Sequence, residues 1–572
     1  MTVQQISVVD AIQRAVQDHP HCTAIETSDG SITYREFGEY TRDFTSRLES
    51  LTAPGEFIGI EAIRTSGSIV AMVGALAARR PFVFIDPRDS ESSNRSKVSS
   101  LGINVVASSR DAPHAPRLAA PPAEWRDGAG DRPLADLAEY QGTLGYAIHT
   151  SGSTGEPKCV LVRAEPLVPM VRDHVRRLEL DPQCRTLQFA RLTFDGCITE
   201  ILWTLTSGAC LVILGEEHLS PGTVLQRTLE DFRITHLKTT PFALTSTQPS
   251  DAMTLKHVIN GGGACRQAVL RKWSSAAAFH NAYGLTETTV CNFLSDPLDP
   301  DDCRESIPLG DVVGDCGFDV VPLPTATADG AAGSPVTRGE LVITGNSVAV
   351  GYLTAQGVQR FIDDNADRVY RTGDIVDHHD GQVFFVERLD RQLKVRGYRL
   401  DPGEVESAAC RLDGVVEAVV SAESHENGDD SAVDALVCYY LGTATSREVR
   451  AHLEAVLDSY KVPSVIQQIE AIPYTRNGKV DREALRASRR TAPAAARAAT
   501  PEEQILELVR QLTGVDDAGL DDNFFDVGGD SASTVILVNK LKELGWMAVG
   551  VRDVLRAENL KVLVDELRDR SA

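Results

Sequence analysis

The stretch Thr150-Ser151-Gly152-Ser153-Thr154-Gly155-Glu156-Pro157-Lys158 decides how this chain is read. It follows the apolar run Leu144-Gly145-Tyr146-Ala147-Ile148, which predicts a strand. Hydroxyl residues alternate with two glycines, and a lysine follows. Such a loop can fold its backbone N–H groups and hydroxyls around phosphate oxygens. The glycines let the backbone come close, and Lys158 adds charge. The loop is not the GxxxxGK[ST] type, because no Ser or Thr follows the lysine and the glycine spacing differs. A flexible Ser/Gly linker has a similar composition, but linkers seldom follow a buried-looking strand directly.

The chain around this loop has 572 residues, too many for one hydrophobic core, so several domains are expected. A formal net charge of −24 suits a soluble surface and argues against nucleic-acid and anionic-membrane partners. No basic segment followed by an apolar core opens the chain, and no apolar run has the length of a membrane span. The eleven cysteines form no CxxC pair, which points to reduced thiols and a cytoplasmic location, not to a disulfide frame or a zinc site.

Short apolar runs such as Phe57–Ile60, Phe82–Ile85 and Cys210–Leu214 alternate with helical stretches such as Ser68–Ala78, as in α/β architecture. The polar, glycine-bearing segment Arg388–Glu406 reads as a hinge into a smaller α+β domain. The Ala/Arg-rich run Arg486–Ala499 reads as a linker. Thr500 then predicts a helix N-cap, with Pro501 at the first helical position and Glu503 completing a capping box. Ile505, Leu508, Val509 and Leu512 form its apolar face and Gly514 ends it. Further helical patterns around Thr534–Leu544 and Leu560–Leu567 make the tail a small helical bundle.

The loop at 150–158 resembles the phosphate loop of adenylate-forming enzymes: acyl-CoA ligases, luciferases and the adenylation domains of nonribosomal peptide synthetases. Making an acyl-adenylate needs donors for phosphates, a carboxylate for the metal, an acceptor for ribose and a cation near the α-phosphate. Segments similar to the family's follow in its order. Asn281-Ala282-Tyr283-Gly284-Leu285-Thr286-Glu287-Thr288 resembles the segment whose tyrosine stacks on adenine, whose threonine meets the α-phosphate and whose glutamate holds Mg²⁺. A single Glu287 is chemically sufficient, since Mg²⁺ commonly takes one or two carboxylates plus phosphates. Tyr370-Arg371-Thr372-Gly373-Asp374 resembles the segment whose aspartate accepts the ribose hydroxyls, an arrangement open to an ionised carboxylate. By the same resemblance Arg388 contacts ribose or phosphate, Asp390 is the hinge, and Lys479 in Asn477-Gly478-Lys479-Val480-Asp481 bridges the substrate carboxylate and α-phosphate. The implied ATP-binding set is Thr150, Ser151, Gly152, Ser153, Thr154, Gly155, Lys158, Gly262, Asn281, Ala282, Tyr283, Gly284, Thr286, Asp374 and Arg388. The implied catalytic set is Lys479, Thr286, Glu287 and Phe194, the last as a gate. Leu76–Pro87 and Gly339-Glu340-Leu341 through Gly351-Tyr352 also match and are expected to be structural.

Phe194-Asp195-Gly196-Cys197 resembles the start of the substrate-pocket segment, whose aspartate pairs with an α-ammonium in amino-acid-activating members. A capping aspartate before a helix is the plain alternative. The pocket positions carried over are Asp195, Gly196, Thr199, Lys238, Ile259, Gly261, Ala282, Val290 and Cys291. A cation such as Lys238 in a small pocket suits a side-chain carboxylate. The combination resembles pockets for aspartate, and asparagine pockets look similar. Gly196 and Ala282 depart from that pattern and leave room for a larger acidic residue. Two further departures are His149, at a position expected to be aromatic or apolar, and Arg163-Ala164-Glu165-Pro166, which lacks an expected histidine.

Asp522-Asn523-Phe524-Phe525-Asp526-Val527-Gly528-Gly529-Asp530-Ser531 resembles the attachment site of a peptidyl carrier protein, with Ser531 carrying 4′-phosphopantetheine. The resemblance therefore implies an α/β multidomain chain. A large adenylate-forming core (1–388) and a small α+β C-terminal subdomain (389–486) precede a linker (487–499) and a helical-bundle carrier domain (500–572). It implies ATP, Mg²⁺ and covalent phosphopantetheine as cofactors. It implies an aspartate-like amino acid as substrate, loaded as a thioester on the chain's own carrier. The partners it implies are a phosphopantetheinyl transferase, a downstream condensation, tailoring or acyltransferase enzyme, and a small activator protein in some members. No condensation or thioesterase segment flanks the sequence, so hand-over to another protein is expected. Two other readings stay open: an acyl-CoA ligase releasing a soluble thioester, and a non-catalytic carrier or docking protein.

Overall fold

The computed structural model describes residues 7–126, 137–150, 158–303, 306–322, 337–389, 393–395, 398–424, 434–473, 480, 485, 500–513, 515, 518–529, 531–544, 546 and 549–571. The chain divides into two compact units, the first running to Gly397 and the second from Tyr398 onward.

Among the described residues the first unit holds a nine-stranded, an eight-stranded and a four-stranded sheet. The larger two each have a parallel centre. Strands there are buried on both faces and read as continuous apolar runs: all four residues of Ile58–Glu61 and of Phe82–Ile85 are buried. The helix expected at Ser68–Ala78 spans Ser66–Ala77, because Thr65 caps it and accepts from the backbone N–H of Ser68. Ten of its twelve residues are buried, which is why it shows no amphipathic pattern.

The nine-stranded sheet positions the candidate pocket. His236–Thr239, His257–Asn260 and Ala278–Tyr283 run parallel and in register, with Lys238 opposite Ile259 and Ile259 opposite His280. Behind the pocket positions stands a ladder of histidines. His236 and His257 stack at 5.0 Å and His257 and His280 at 5.2 Å, with His257 Nδ1 3.0 Å from His280 Nε2. His236 also meets the Leu178 carbonyl at 2.8 Å, and His280 that of Ser295 at 2.9 Å. Burial pushes His236 and His280 down to about 4, so the ladder is neutral.

In the second unit Val415–Ser424 pairs antiparallel with Asp434–Gly442, which pairs parallel with Val465–Gln468. Helices Pro402–Ala409 and Ser446–Val456 accompany this sheet. A buried ion pair, Lys461 to Glu404 at 2.7 Å, ties the first of them to the turn Ser459–Lys461. The tail forms helices Pro501–Thr513, Ser531–Glu543, Val551–Arg556 and Leu560–Ser571 around their own apolar core. The capping box is present: Thr500 N–H donates to Glu503 at 3.0 Å, and Glu503 N–H to Thr500 Oγ1 at 3.3 Å. The six-residue helix Val551–Arg556 went unread, because it is too short to show a period. Gly514 lies outside the described residues. Among those described, no helix is long and apolar enough to cross a membrane.

Candidate active site

Gly196, Thr199 and Lys238 meet at the start of helix Gly196–Ser207. Asp195 occupies the N-cap position, yet its side chain makes no capping hydrogen bond. The plain capping explanation therefore does not account for it. Its Oδ2 is shielded from solvent and has no hydrogen-bond partner among the described residues. Burial pushes the Asp195 carboxyl up, while a hydrogen bond from Thr286 and the charge of Lys238 pull it back. A carboxylate oxygen left without a partner in such a place calls for a donor from outside the protein.

Lys238 supplies the pocket's positive charge. Its ammonium donates to Thr199 Oγ1 at 2.6 Å and lies 3.4 Å from the Gly196 carbonyl, facing the ring of Trp203 at 5.9 Å. Two glycines border it at ordinary contact distance. A Cβ on Gly261 would lie 3.4 Å from the lysine's Cε, and one on Gly196 would lie 4.0 Å from its Nζ. Ile259, Ala282, Val290 and Cys291 are buried apolar neighbours of the same core. Burial pushes the Cys291 thiol up to about 11, so it is an uncharged wall. Thr289 and Val290 both take positive φ, 62° and 66°. For β-branched residues this is strained backbone, and it begins two residues after Glu287. Gly284 closes the turn, since a side chain there would strike the carbonyl of Val290.

The nucleotide-type residues form a second, densely paired group. Asp374 is wholly buried. Its Oδ2 accepts from the Tyr283 hydroxyl at 2.5 Å, and its Oδ1 from Arg388 at 2.5 Å. Asn281 is also buried, taking a hydrogen bond from Asn260 at 3.0 Å and donating to the Pro308 carbonyl at 2.9 Å. Gly262, at φ 77°, sits in the turn after Asn260. Glu287 accepts from the Tyr352 hydroxyl at 2.6 Å, and Tyr352 lies 3.1 Å from the hydroxyl of Tyr370. Lys158 stands over the Tyr352 ring at 4.7 Å, a cation–π distance.

Within the segment expected to be structural, Tyr352 touches both the loop lysine and the candidate metal carboxylate. The signal was the tyrosine itself, an amphipathic side chain whose hydroxyl needs a partner when buried. Glu200 was missed altogether. It is wholly buried and accepts from the backbone N–H groups of Phe189 and Ala190 at 3.1 and 3.2 Å, bracing the loop that leads to Phe194 and Asp195. Burial raises its pKa to about 7. Phe194 is half-buried beside Asp195. His149, at the position where an aromatic or apolar residue was expected, lies 3.5 Å from Ser100 Oγ. Ser531 is the first residue of helix Ser531–Glu543. Ser151, Gly152, Ser153, Thr154, Gly155, Asp390 and Lys479 lie outside the described residues.

With this geometry in hand, comparison with known proteins decides the family. The AMP-binding enzyme profile matches residues 12–353. The chain belongs to the AMP-binding enzyme family. The AMP-binding enzyme C-terminal domain follows at 404–479 and a phosphopantetheine attachment site domain at 503–567. Bacitracin synthase 3 of Bacillus licheniformis is 30% identical over 96% of this chain and 9% of its own length. Novobiocin biosynthesis protein H of Streptomyces niveus is 29% identical over 95% of this chain and 93% of its own. The chain thus spans about a tenth of the large synthases it matches and nearly all of the smaller relative. In fold it is similar to holo-PA1221, an NRPS protein containing adenylation and PCP domains bound to a vinylsulfonamide inhibitor. The TM-score is 0.79 at 23% identity, covering 99% of this chain and 97% of that one. The architecture is an adenylate-forming core, a C-terminal subdomain and a carrier domain. An enzyme so built works on ATP, typically with Mg²⁺, and its carrier bears covalent phosphopantetheine. The donor set fits these groups. A buried carboxylate such as Glu287 suits a metal that shares its other sites with phosphates, and the carboxyl oxygens of Asp374 have lone pairs beyond those used by Tyr283 and Arg388.

Proposed function

We propose that this chain adenylates an α-amino acid with an acidic side chain and loads it on its own carrier domain at Ser531. The observation that carries this reading is the pocket's pair of complementary charges. The unpartnered Asp195 Oδ2 suits an α-ammonium, and Lys238, held on Thr199, suits a side-chain carboxylate. Both offer what an aspartate-like substrate requires and what a leucine-like one does not. Gly196, Gly261 and Ala282 leave that pocket with short walls, so a longer or modified acidic residue is within its scope.

The first half-reaction joins a substrate carboxylate oxygen to the α-phosphorus of ATP and expels pyrophosphate. Asp195 fixes the ammonium end, which aims the carboxylate. Thr286, one of the groups that lowers the Asp195 carboxyl, would meet the α-phosphate, and Lys479 would neutralise the charge that gathers there. Asp374 with Arg388 and Tyr283 would hold the nucleoside, Glu287 would hold Mg²⁺, and the loop 150–158 would hold the leaving phosphates. Mg²⁺, when bound, screens phosphate charge. The phosphopantetheine arm, when installed, supplies the accepting thiol. Asp390 is the hinge between the two half-reactions and Phe194 the gate for the arm.

A phosphopantetheinyl transferase and a downstream condensation, tailoring or acyltransferase enzyme complete the reading as partners. None of the eleven cysteines is paired in a disulfide, which supports a reducing, cytoplasmic setting. An amino-acid-dependent pyrophosphate-exchange panel with intact-mass detection of loading tests the proposal. Exchange concentrated on aspartate and its relatives is the expected result. Strong exchange with leucine or phenylalanine and none with acidic residues overturns the substrate. Turnover of free CoA without loading of Ser531 overturns the acceptor.

A further inference from the structure

Within the second unit, helix Ser446–Val456 of the C-terminal subdomain reaches the carrier domain through two arginines one turn apart. Arg450 is buried. Its guanidinium donates to the carbonyls of Pro463 at 3.2 Å and Ser464 at 3.0 Å, inside its own subdomain. It donates as well to the carbonyl of Thr513 at 3.1 Å, which ends the carrier's first helix. A helix C-terminus has carbonyls without intrahelical partners and partial negative charge, so a guanidinium there is doubly favoured. The same guanidinium lies flat against Gly528. A Cβ on that glycine, itself at φ 97°, would collide with it. Arg447 meets Asp522 of the carrier at 3.3 Å, with both side chains partly exposed.

The carrier loop gripped in this way is hydrogen-bonded within itself. Phe525 N–H is held by the Asn523 side chain at 2.8 Å, Gly528 N–H by the Phe525 carbonyl at 3.0 Å and Gly529 N–H by the Phe524 carbonyl at 2.8 Å. Gly528 precedes the attachment serine by three positions. Asp522 and Gly528 thus bracket the start of the loop that leads into Ser531.

We propose that Arg450 and Arg447 form a docking clasp with which the C-terminal subdomain holds its own carrier by the loop before Ser531, and that this clasp governs loading without governing adenylation. Arg450 is the fixed seat, because its fork of donors satisfies carbonyls on both sides at once. Arg447 is the outer, screenable contact. Both are positioning residues; neither touches substrate.

The part concerned with loading rests on the function proposed above, so the test reads the clasp in two ways. In the full-length holo chain, Arg447→Glu is expected to slow self-loading about five- to tenfold, as reversal of one charge pair would. Arg450→Lys, which keeps charge and loses the fork, is expected to slow it about tenfold. Pyrophosphate exchange and conversion to the holo form by a transferase should stay within twofold of the parent. Hydrogen exchange, which needs no substrate, should show faster exchange at amides 527–529 in both variants. Arg450→Lys also touches the Pro463 and Ser464 carbonyls, so the exposed Arg447→Glu keeps the test decisive if the first variant misfolds. Unchanged loading with unchanged amide exchange in Arg447→Glu overturns the clasp. Lost pyrophosphate exchange in the unsubstituted parent chain would instead indict the proposed function.

Discussion

The two halves of the candidate active site differ in one physical respect. On the nucleotide side the charged groups are matched by protein partners: Asp374 by Tyr283 and Arg388, Glu287 by Tyr352. On the amino-acid side Asp195 Oδ2 has none among the described residues, and Lys238 rests on a neutral hydroxyl. Saturated groups are held in one geometry whatever is bound, which suits a part of the ligand that never varies. An unsaturated pair is costly in the empty protein and is relieved by the right ligand, which is how selectivity arises.

The contrast breaks most sharply at Asp195. Asp195→Ala should cut kcat/KM for the amino acid at least about 100-fold, the scale of losing one partner of a shielded ion pair, with KM for ATP nearly unchanged. A loss shared equally by both substrates in pyrophosphate exchange would make Asp195 merely structural. Lys238→Leu comes next. It should reduce kcat/KM for an acidic substrate about 10- to 100-fold, the worth of a charge-assisted hydrogen bond, and raise it for neutral residues of similar size. Unaltered preference across the exchange panel would end the role of Lys238. On the saturated side one contact among several is removed by Tyr352→Phe, and the expected loss is only about three- to tenfold in adenylation rate, with a higher Mg²⁺ requirement. A loss as large as that at Asp195 would erase the distinction.

The smallest effect is on stability and belongs to the histidine ladder beneath the pocket. His236 and His280 are held down to about 4 in the folded chain, below the usual histidine range. The unfolded chain therefore binds protons first as pH falls. The stability these rings contribute is complete above about 6.5 and is lost on the way down to about 4. The thermal midpoint of the parent should fall across that window, and His280→Gln should flatten the fall. An equal slope in both proteins would show that the ladder contributes nothing to it.

How much of this was legible beforehand depends on where the information sits. The capping box at Thr500 and Glu503 was readable because both partners lie within four residues. So was the apolar strand before the phosphate-type loop, since burial on both faces leaves a continuous run. Asp195 and Lys238 were named as pocket residues, but composition alone left Asp195 open to a capping role. The absence of a capping bond in the folded helix removes that reading. Glu200 and the contacts of Tyr352 escaped, because they run to a partner distant in sequence or to backbone amides that carry no side-chain signature. The helix Val551–Arg556 escaped for want of length.

The order of motifs, the division into core, small subdomain and carrier, and the chemical type of the reacting groups were written in local residue patterns, which depend on neighbours along the chain. Which carboxylate oxygen stays without a donor, which hydroxyl steadies Lys238, and which arginine grips the carrier loop were decided only by the tertiary structure. Hydrogen-bond saturation is a property of atoms brought together from distant segments, and no stretch of sequence contains both members of the pair.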